Sequence, residues 1–241
     1  MPHQICLTLS PKKCHQSNNQ MDIPQIEVIK TNGDKLSLQT NLENVVQALE
    51  KDGCLLLKNA TSRISPHDVS FFKSHARDII LHSSVKAILF SAQPDEDFAI
   101  VHYMLYKFGQ QPGKLGRDKR WKEMAAVPGV VAINCVHLQE DAVFEIDKCG
   151  RKKDTGDTIT MRANAGDIFI HCTWLNITPP HREVGPPDEG YAIVVSYLWL
   201  GFSEDAWMRS TMAEMILHVA GEDCFRSKDL VIWKRPKEKP Q

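Results

Sequence analysis

Histidines and carboxylates are the side chains in this chain that could do chemistry, and one pair has a spacing that suggests a metal. His181-Arg182-Glu183 is the only His-x-Glu in the sequence, and that spacing is the near half of the facial triad that holds non-haem iron. It lies in a segment bounded by Pro179, Pro180, Pro186 and Pro187. His137 and His171 sit in or beside apolar runs. Imidazole is the commonest protein metal ligand, so the two could build a metal site. The ordinary expectation for them is a place at the core edge with one ring nitrogen bonded to backbone. Asp118, Asp188 and Glu189 are candidates for a general acid or base in a metal-free isomerisation or hydrolysis. Asp118 also belongs to the charged run Arg117-Asp118-Lys119-Arg120, where a surface carboxylate needs no functional explanation. The seven cysteines, at 6, 14, 54, 135, 149, 172 and 224, form no Cys-x-x-Cys, and four lie in or next to apolar runs as small buried thiols do.

The elements that must position these residues are readable in outline. Residues 1–20, rich in Gln, Asn, Lys and Ser, read as a flexible N-terminal extension, and 21–241 as a single domain. Leu42, Val45, Val46 and Leu49 recur at helical spacing, which predicts an amphipathic helix over 42–52, stopped by Gly53. A short buried strand follows over 54–57. Ser65-Pro66 offers an N-cap and a first-turn proline for a helix through Phe71, Phe72, His75 and Ile79. From there strands are expected over 99–107, 130–138, 142–146, 158–162, 167–173 and 191–199, rich in β-branched and aromatic residues and separated by Gly, Pro and Asp clusters. Several short strands preceded by helices imply a mainly β fold with flanking helices around a double-stranded β-helix, a cupin-like jelly roll. A C-terminal helix is expected over 203–220, with Met208, Met212, Met215, Ile216 and Val219 on one face. Such a face usually packs on its own sheet. Methionine is also common at adaptable binding surfaces, so Met208, Met212 and Met215 are a candidate partner interface.

Two segments carry a family likeness. Leu115-Gly116-Arg117-Asp118 follows the turn-rich run Gly109 to Gly113, and Leu175-Asn176-Ile177 follows the Gly166-Asp167 strand. With the leading helix-Gly-strand unit and the final Val194-Val195-Ser196-Tyr197 strand, their order over most of residues 40–205 resembles the phytanoyl-CoA-dioxygenase-like branch of the Fe(II)/2-oxoglutarate oxygenases, especially fungal members that tailor terpenoids and meroterpenoids. In that family the first segment usually reads Leu-His-Arg-Asp and the second Leu-His. The resemblance therefore implies a degenerate metal site: Gly116 replaces the near histidine, Asn176 or Ile177 the far one, and Asp118 alone remains. Glycine and isoleucine offer no donor, and an asparagine carbonyl is a poor substitute for a neutral imidazole. The family's 2-oxoglutarate anchor, an arginine just before the last core strand, falls where this chain has Asp188 and Glu189, which would repel a carboxylate that arginine binds. His181-Arg182-Glu183 comes after the Gly-Asp strand, so its use would require another fold order.

Two functions stay open. The favoured one is a non-catalytic pseudo-oxygenase subunit with no cofactor of its own, which forms a heterodimer with a related active oxygenase in meroterpenoid biosynthesis; the partner would carry the Fe(II) and 2-oxoglutarate. The other is an active enzyme, either a dioxygenase with iron on other histidines or a metal-free isomerase or hydrolase using the old pocket. Composition limits the partners. A formal net charge of -1 with scattered charges leaves no footprint for nucleic acid or an anionic membrane. Nor does any run approach the length of a membrane span or the pattern of an export signal, so a cytoplasmic protein is expected.

Overall fold

A computed structural model describes residues 24–31, 35–38, 42–61, 75–108, 132–147, 158–173, 175–183, 190–199, 210 and 212–235. The chain begins with strands β1 (Gln25–Thr31) and β2 (Lys35–Leu38), then helix α1 (Leu42–Asp52) and strand β3 (Cys54–Lys58). Val45, Val46 and Leu49 are the buried face of α1, as their spacing predicts. Gly53 ends the helix at φ +72, a left-handed backbone that glycine adopts without a Cβ penalty.

Helices α2 (Ala76–Ile80) and α3 (Ser83–Ala92) follow, and then strands β4 (Phe98–Lys107), β5 (Ala132–Leu138), β6 (Ala142–Asp147) and β7 (Thr158–Ala163). Strands β8 (Ile168–Cys172), β9 (Asn176–Ile177) and β10 (Tyr191–Trp199) come next. Helix α4 (Ala213–Ala220), a 3-10 turn over Gly221–Asp223, and the hairpin β11 (Cys224–Ser227) and β12 (Leu230–Trp233) end the described chain.

The strands form two sheets. The larger runs β11-β12-β4-β10-β5-β8-β3-β1-β2 and the smaller β7-β6-β9. Pairing is antiparallel except between β1 and β3. From β5 onward the chain crosses between the sheets, large to small at β6, back at β8, across at β9 and back at β10. That alternation is a jelly roll, the fold class expected from the strand pattern.

Period-two alternation gives the large sheet two buried faces. On β5, Ile133 and Cys135 join α1, α2, α3 and α4 in one apolar cluster, while Val136 and Leu138 join the small sheet's Phe144, Ile146 and Met161 in another. Phe144 and Phe169 meet across the sheets with ring centroids 4.7 Å apart. Because both faces are covered, β10 reads as the nearly unbroken apolar run Tyr-Ala-Ile-Val-Val-Ser-Tyr-Leu-Trp.

The structure departs from the sequence reading at the C-terminal helix. Of the helix expected over 203–220, residues 203–209 lie outside the described residues and Ala213–Ala220 is helical; between them Ser210 is tied to the hairpin, its backbone N–H donating to the Asp229 carbonyl and its Oγ accepting from the Val231 N–H. Met212, at φ +58, is the turn into the helix. The helix expected from Ser65 through Phe71 and Phe72 lies outside the described residues up to residue 74; of its expected members, His75 caps α2 and Ile79 lies in it.

Candidate functional site

The positions that the family likeness marks out fall unevenly. Gly116, Asp118, Asp188, Glu189 and Met208 lie outside the described residues. Asn176 and Ile177 form β9, where Ile177 pairs with Ile146 of β6. Ile177 is 6% exposed and packs with Leu175, Ile146 and Phe144 between the sheets. A side chain there faces hydrocarbon and supplies no lone pair, so this position does not fit iron. Among the described residues no group of three or more His, Cys, Asp and Glu could hold a metal ion.

The two strand histidines do not converge. His137 pairs with Ile168 and Ile193 on the helix-covered face, whereas His171 pairs with Asn134 and Cys54 on the face between the sheets. A sheet lies between them, so they cannot share a metal. His171 meets the expectation of a backbone-bonded core histidine: its Nδ1 lies 3.3 Å from the Cys172 carbonyl, and its ring stacks on Phe169. Burial pushes its pKa down to about 4, only partly offset by that carbonyl. His137 departs from the same expectation. It is fully buried with no hydrogen-bond partner on either ring nitrogen, because its cross-strand neighbours are hydrocarbon and its ring meets His82 edge-on at 5.9 Å. Burial, and after it the His82 charge, holds its pKa well below the ordinary imidazole value.

His181-Arg182-Glu183 is not a metal half-site. His181 bridges to Val143 through backbone, and its Nδ1 lies 3.4 Å from the Pro179 carbonyl. Glu183 accepts two bonds from Arg162, at 2.8 and 2.6 Å, so both its oxygens are engaged by a guanidinium. This pairing raises the Arg162 pKa and lowers that of Glu183.

Register brings together a set that the sequence reading missed. His171, Asn134, Ser196 and His102 occupy one cross-strand row over β8, β5, β10 and β4. The Ser196 hydroxyl donates to the Asn134 carbonyl at 2.6 Å, and both side chains are buried. Asn134 and Ser196 interrupt apolar strands, and that interruption was the available signal. Their alignment with two histidines follows only from strand pairing. Such a row can hydrogen-bond a neutral polar group. Its buried histidine is neutral near pH 7 and a weak base there, which leaves it poorly matched to proton abstraction.

Beside the row, the four described cysteines Cys54, Cys135, Cys172 and Cys224 are buried thiols outside any disulfide. Burial, then Asp52, pushes the Cys54 thiol up to about 12, so it is no nucleophile. Of the candidate interface methionines, Met212 is 56% exposed, while Met215 packs on the helix-side core.

No family model matches the chain, and no curated protein matches it. Among solved structures it is similar to the non-heme alpha-ketoglutarate-dependent epimerase SnoN from nogalamycin biosynthesis, at 10% identity and a TM-score of 0.43 over 65% of this chain and 81% of that one. It is similar to the carbocyclase SnoK from the same biosynthesis at 9% identity and a TM-score of 0.36, covering 66% and 86%. A nickel complex of the non-heme monooxygenase ThoJ gives 12% identity and a TM-score of 0.38, covering 52% and 54%.

Proposed function

We propose that the protein is a pseudo-oxygenase: a jelly-roll subunit that binds a related, active Fe(II)/2-oxoglutarate oxygenase and supports it, in cytoplasmic secondary metabolism of the meroterpenoid type. The observation that carries this reading is the buried Ile177, hydrocarbon at one of the two positions, Asn176 or Ile177, that stand where the resembled family has its far iron-binding imidazole. Gly116 at the near position and Asp188-Glu189 at the anchor position support it from the sequence. A subunit of this kind acts by binding the competent conformation of its partner, which raises that conformation's population by the differential affinity and no more. No helix among the described residues is long and apolar enough to cross a membrane.

The test is an anaerobic titration of the purified chain with Fe(II) and 2-oxoglutarate, followed by the visible charge-transfer band of a keto acid chelated to protein-bound iron. The expected outcome is no band. A band would overturn the proposal, because the isolated chain would then hold iron through other residues. A second reading, a metal-free isomerase or hydrolase, would take its general acid or base from Asp118, Asp188 or Glu189, with the inward row of His171, Asn134, Ser196 and His102 serving only to hydrogen-bond a neutral polar group. Turnover by the isolated chain that survives a chelator would place this reading first.

A further inference from the structure

The outer face of the large sheet buries two histidines that no proposed chemistry uses. His82 is the junction between α2 and α3, at the N-cap of α3, and its backbone carbonyl opens that helix by accepting from the Lys86 N–H at 2.8 Å. Its Nε2 lies 2.9 Å from the Ala60 carbonyl, just beyond β3. A carbonyl only accepts, so Nε2 carries the proton and Nδ1, which has no partner, is the basic nitrogen. Edge-on to this ring, at a centroid distance of 5.9 Å, stands His137 of β5 with both nitrogens unpartnered.

We propose that the His82 and His137 pair is an acid-operated latch: while both rings are neutral it holds the N-terminal end of α3 on the large sheet, and proton uptake by the pair releases that end. In the neutral state His82 spans the layers, bonded to Ala60 and packed on His137, and Val85, Ile88 and Leu89 of α3 lie fully buried beneath the same helix. A proton added to His82 goes to Nδ1, and one added to His137 goes to a nitrogen equally without an acceptor. Either proton creates a buried cation with an unsatisfied N–H, which is strongly unfavourable. Exposure to water relieves it. The sheet cannot supply that exposure, since His137 sits between Ile168 and Ile193 on neighbouring paired strands. The helix junction can, because this ring is held by a single hydrogen bond, to the Ala60 carbonyl just beyond β3.

The surrounding groups set the order of events. Desolvation opposes the charged form of His82, while the Ala60 carbonyl and, from α2, the Asp78 carboxylate favour it. His137 has desolvation and the His82 charge against it. His82 therefore takes the first proton. On the same sheet face Cys135 and Tyr103 are kept neutral by burial and add no charge. Ser84, with its Oγ unpartnered, is the other buried polar group at the start of α3, where Ser83 is exposed.

Hydrogen exchange of the peptide over 83–92, measured against the β10 peptide over 191–199 and corrected for intrinsic rates, tests the latch at about pH 7.5 and about pH 5.5, either side of the ordinary imidazole value. Protection of α3 is expected to fall about tenfold or more at the lower pH while that of β10 holds. In His82→Asn/His137→Leu, which keeps a donor for Ala60 and removes both titrating rings, protection of α3 should be the same at both pH values. Equal protection in the native chain, or an unchanged acid loss in the double variant, would overturn the proposal. Imidazole nitrogen shifts in the native chain give a readout that does not depend on the variant folding. Loss of α3 protection with both rings still neutral would overturn the proposal too.

Discussion

At the scale of single residues, Asp167 carries more structural weight than its place in a turn suggests. Its carboxylate, almost wholly buried, takes the Lys58 ammonium at 2.6 Å, the Asn59 N–H at 3.0 Å and the Asn164 N–H at 2.9 Å. One side chain thus joins the start of β8 to the ends of β3 and β7. Gly166 makes the turn possible: it sits at φ +94, and a Cβ there would meet the Thr61 carbonyl at 3.0 Å. Asp167→Ala would leave an ammonium and two N–H groups without their acceptor in a mostly buried setting, at a cost of about 3–5 kcal/mol. Asp167→Asn keeps an acceptor for the N–H groups and should cost less. Urea denaturation of the three proteins measures the ordering, and a loss under about 1 kcal/mol for Asp167→Ala would show that solvent replaces the carboxylate. The pair Gly166-Asp167 was legible in the sequence as a turn into a strand. Lys58 was not, because the partner lies 109 residues away and nothing local names it.

At the scale of elements, the long strands were legible and the short terminal ones were not. The nine residues of β10 and the ten of β4 carry enough β-branched and aromatic side chains to declare themselves. Strands β11 and β12 have four residues each, and the turn between them has Lys228 at φ +54 in place of a glycine, so neither composition nor turn chemistry announces the hairpin. It exists because β12 finds β4 across the sheet, with Val231 opposite Ile100. Packing beneath α4 also decides between two methionines that the sequence treats alike. Met215→Glu puts a charge against the helix-side core and should destabilise by about 1–3 kcal/mol. Met212→Glu is exposed and should change stability by less than about 0.5 kcal/mol, so any loss of partner binding in it is a surface effect. Met212→Gly should raise stability by about 1 kcal/mol by relieving a left-handed backbone. Thermal melts of the three variants check the ranking, and a destabilising Met212→Glu would show that this side chain has a place in the fold.

At the scale of the whole molecule, the large sheet separates two kinds of buried histidine, His82 and His137 on the helix side and His171 on the side between the sheets. The sequence marks His137 and His171 as strand residues, but which face each occupies depends on register, and a one-residue slip would exchange them. For the same reason the inward row could not be read from spacing, whereas the resemblance to a lost iron site rests on segment order, with Gly116, Asp118, Asp188 and Glu189 outside the described residues. The shared property of the three histidines is that each has its pKa lowered by burial. In the unfolded chain an imidazole titrates near about 6.5, so below that pH the unfolded state binds protons that the folded state refuses. Stability is therefore fully present above about pH 6.5 and falls as pH drops below it. For His171 the loss continues until its folded value of about 4 is reached. His171 alone contributes about 1.4 kcal/mol per pH unit in that window, and the other two add in the same direction. Urea unfolding at about pH 7.5 and about pH 5.5 should thus differ by more than one histidine can explain, and His171→Gln should remove close to one histidine's share. His171 is across the sheet from the proposed latch, so its share should survive in His82→Asn/His137→Leu. A stability that is flat over this range would mean that the three rings are hydrated and charged in the folded protein, against the burial that both sheet faces give them.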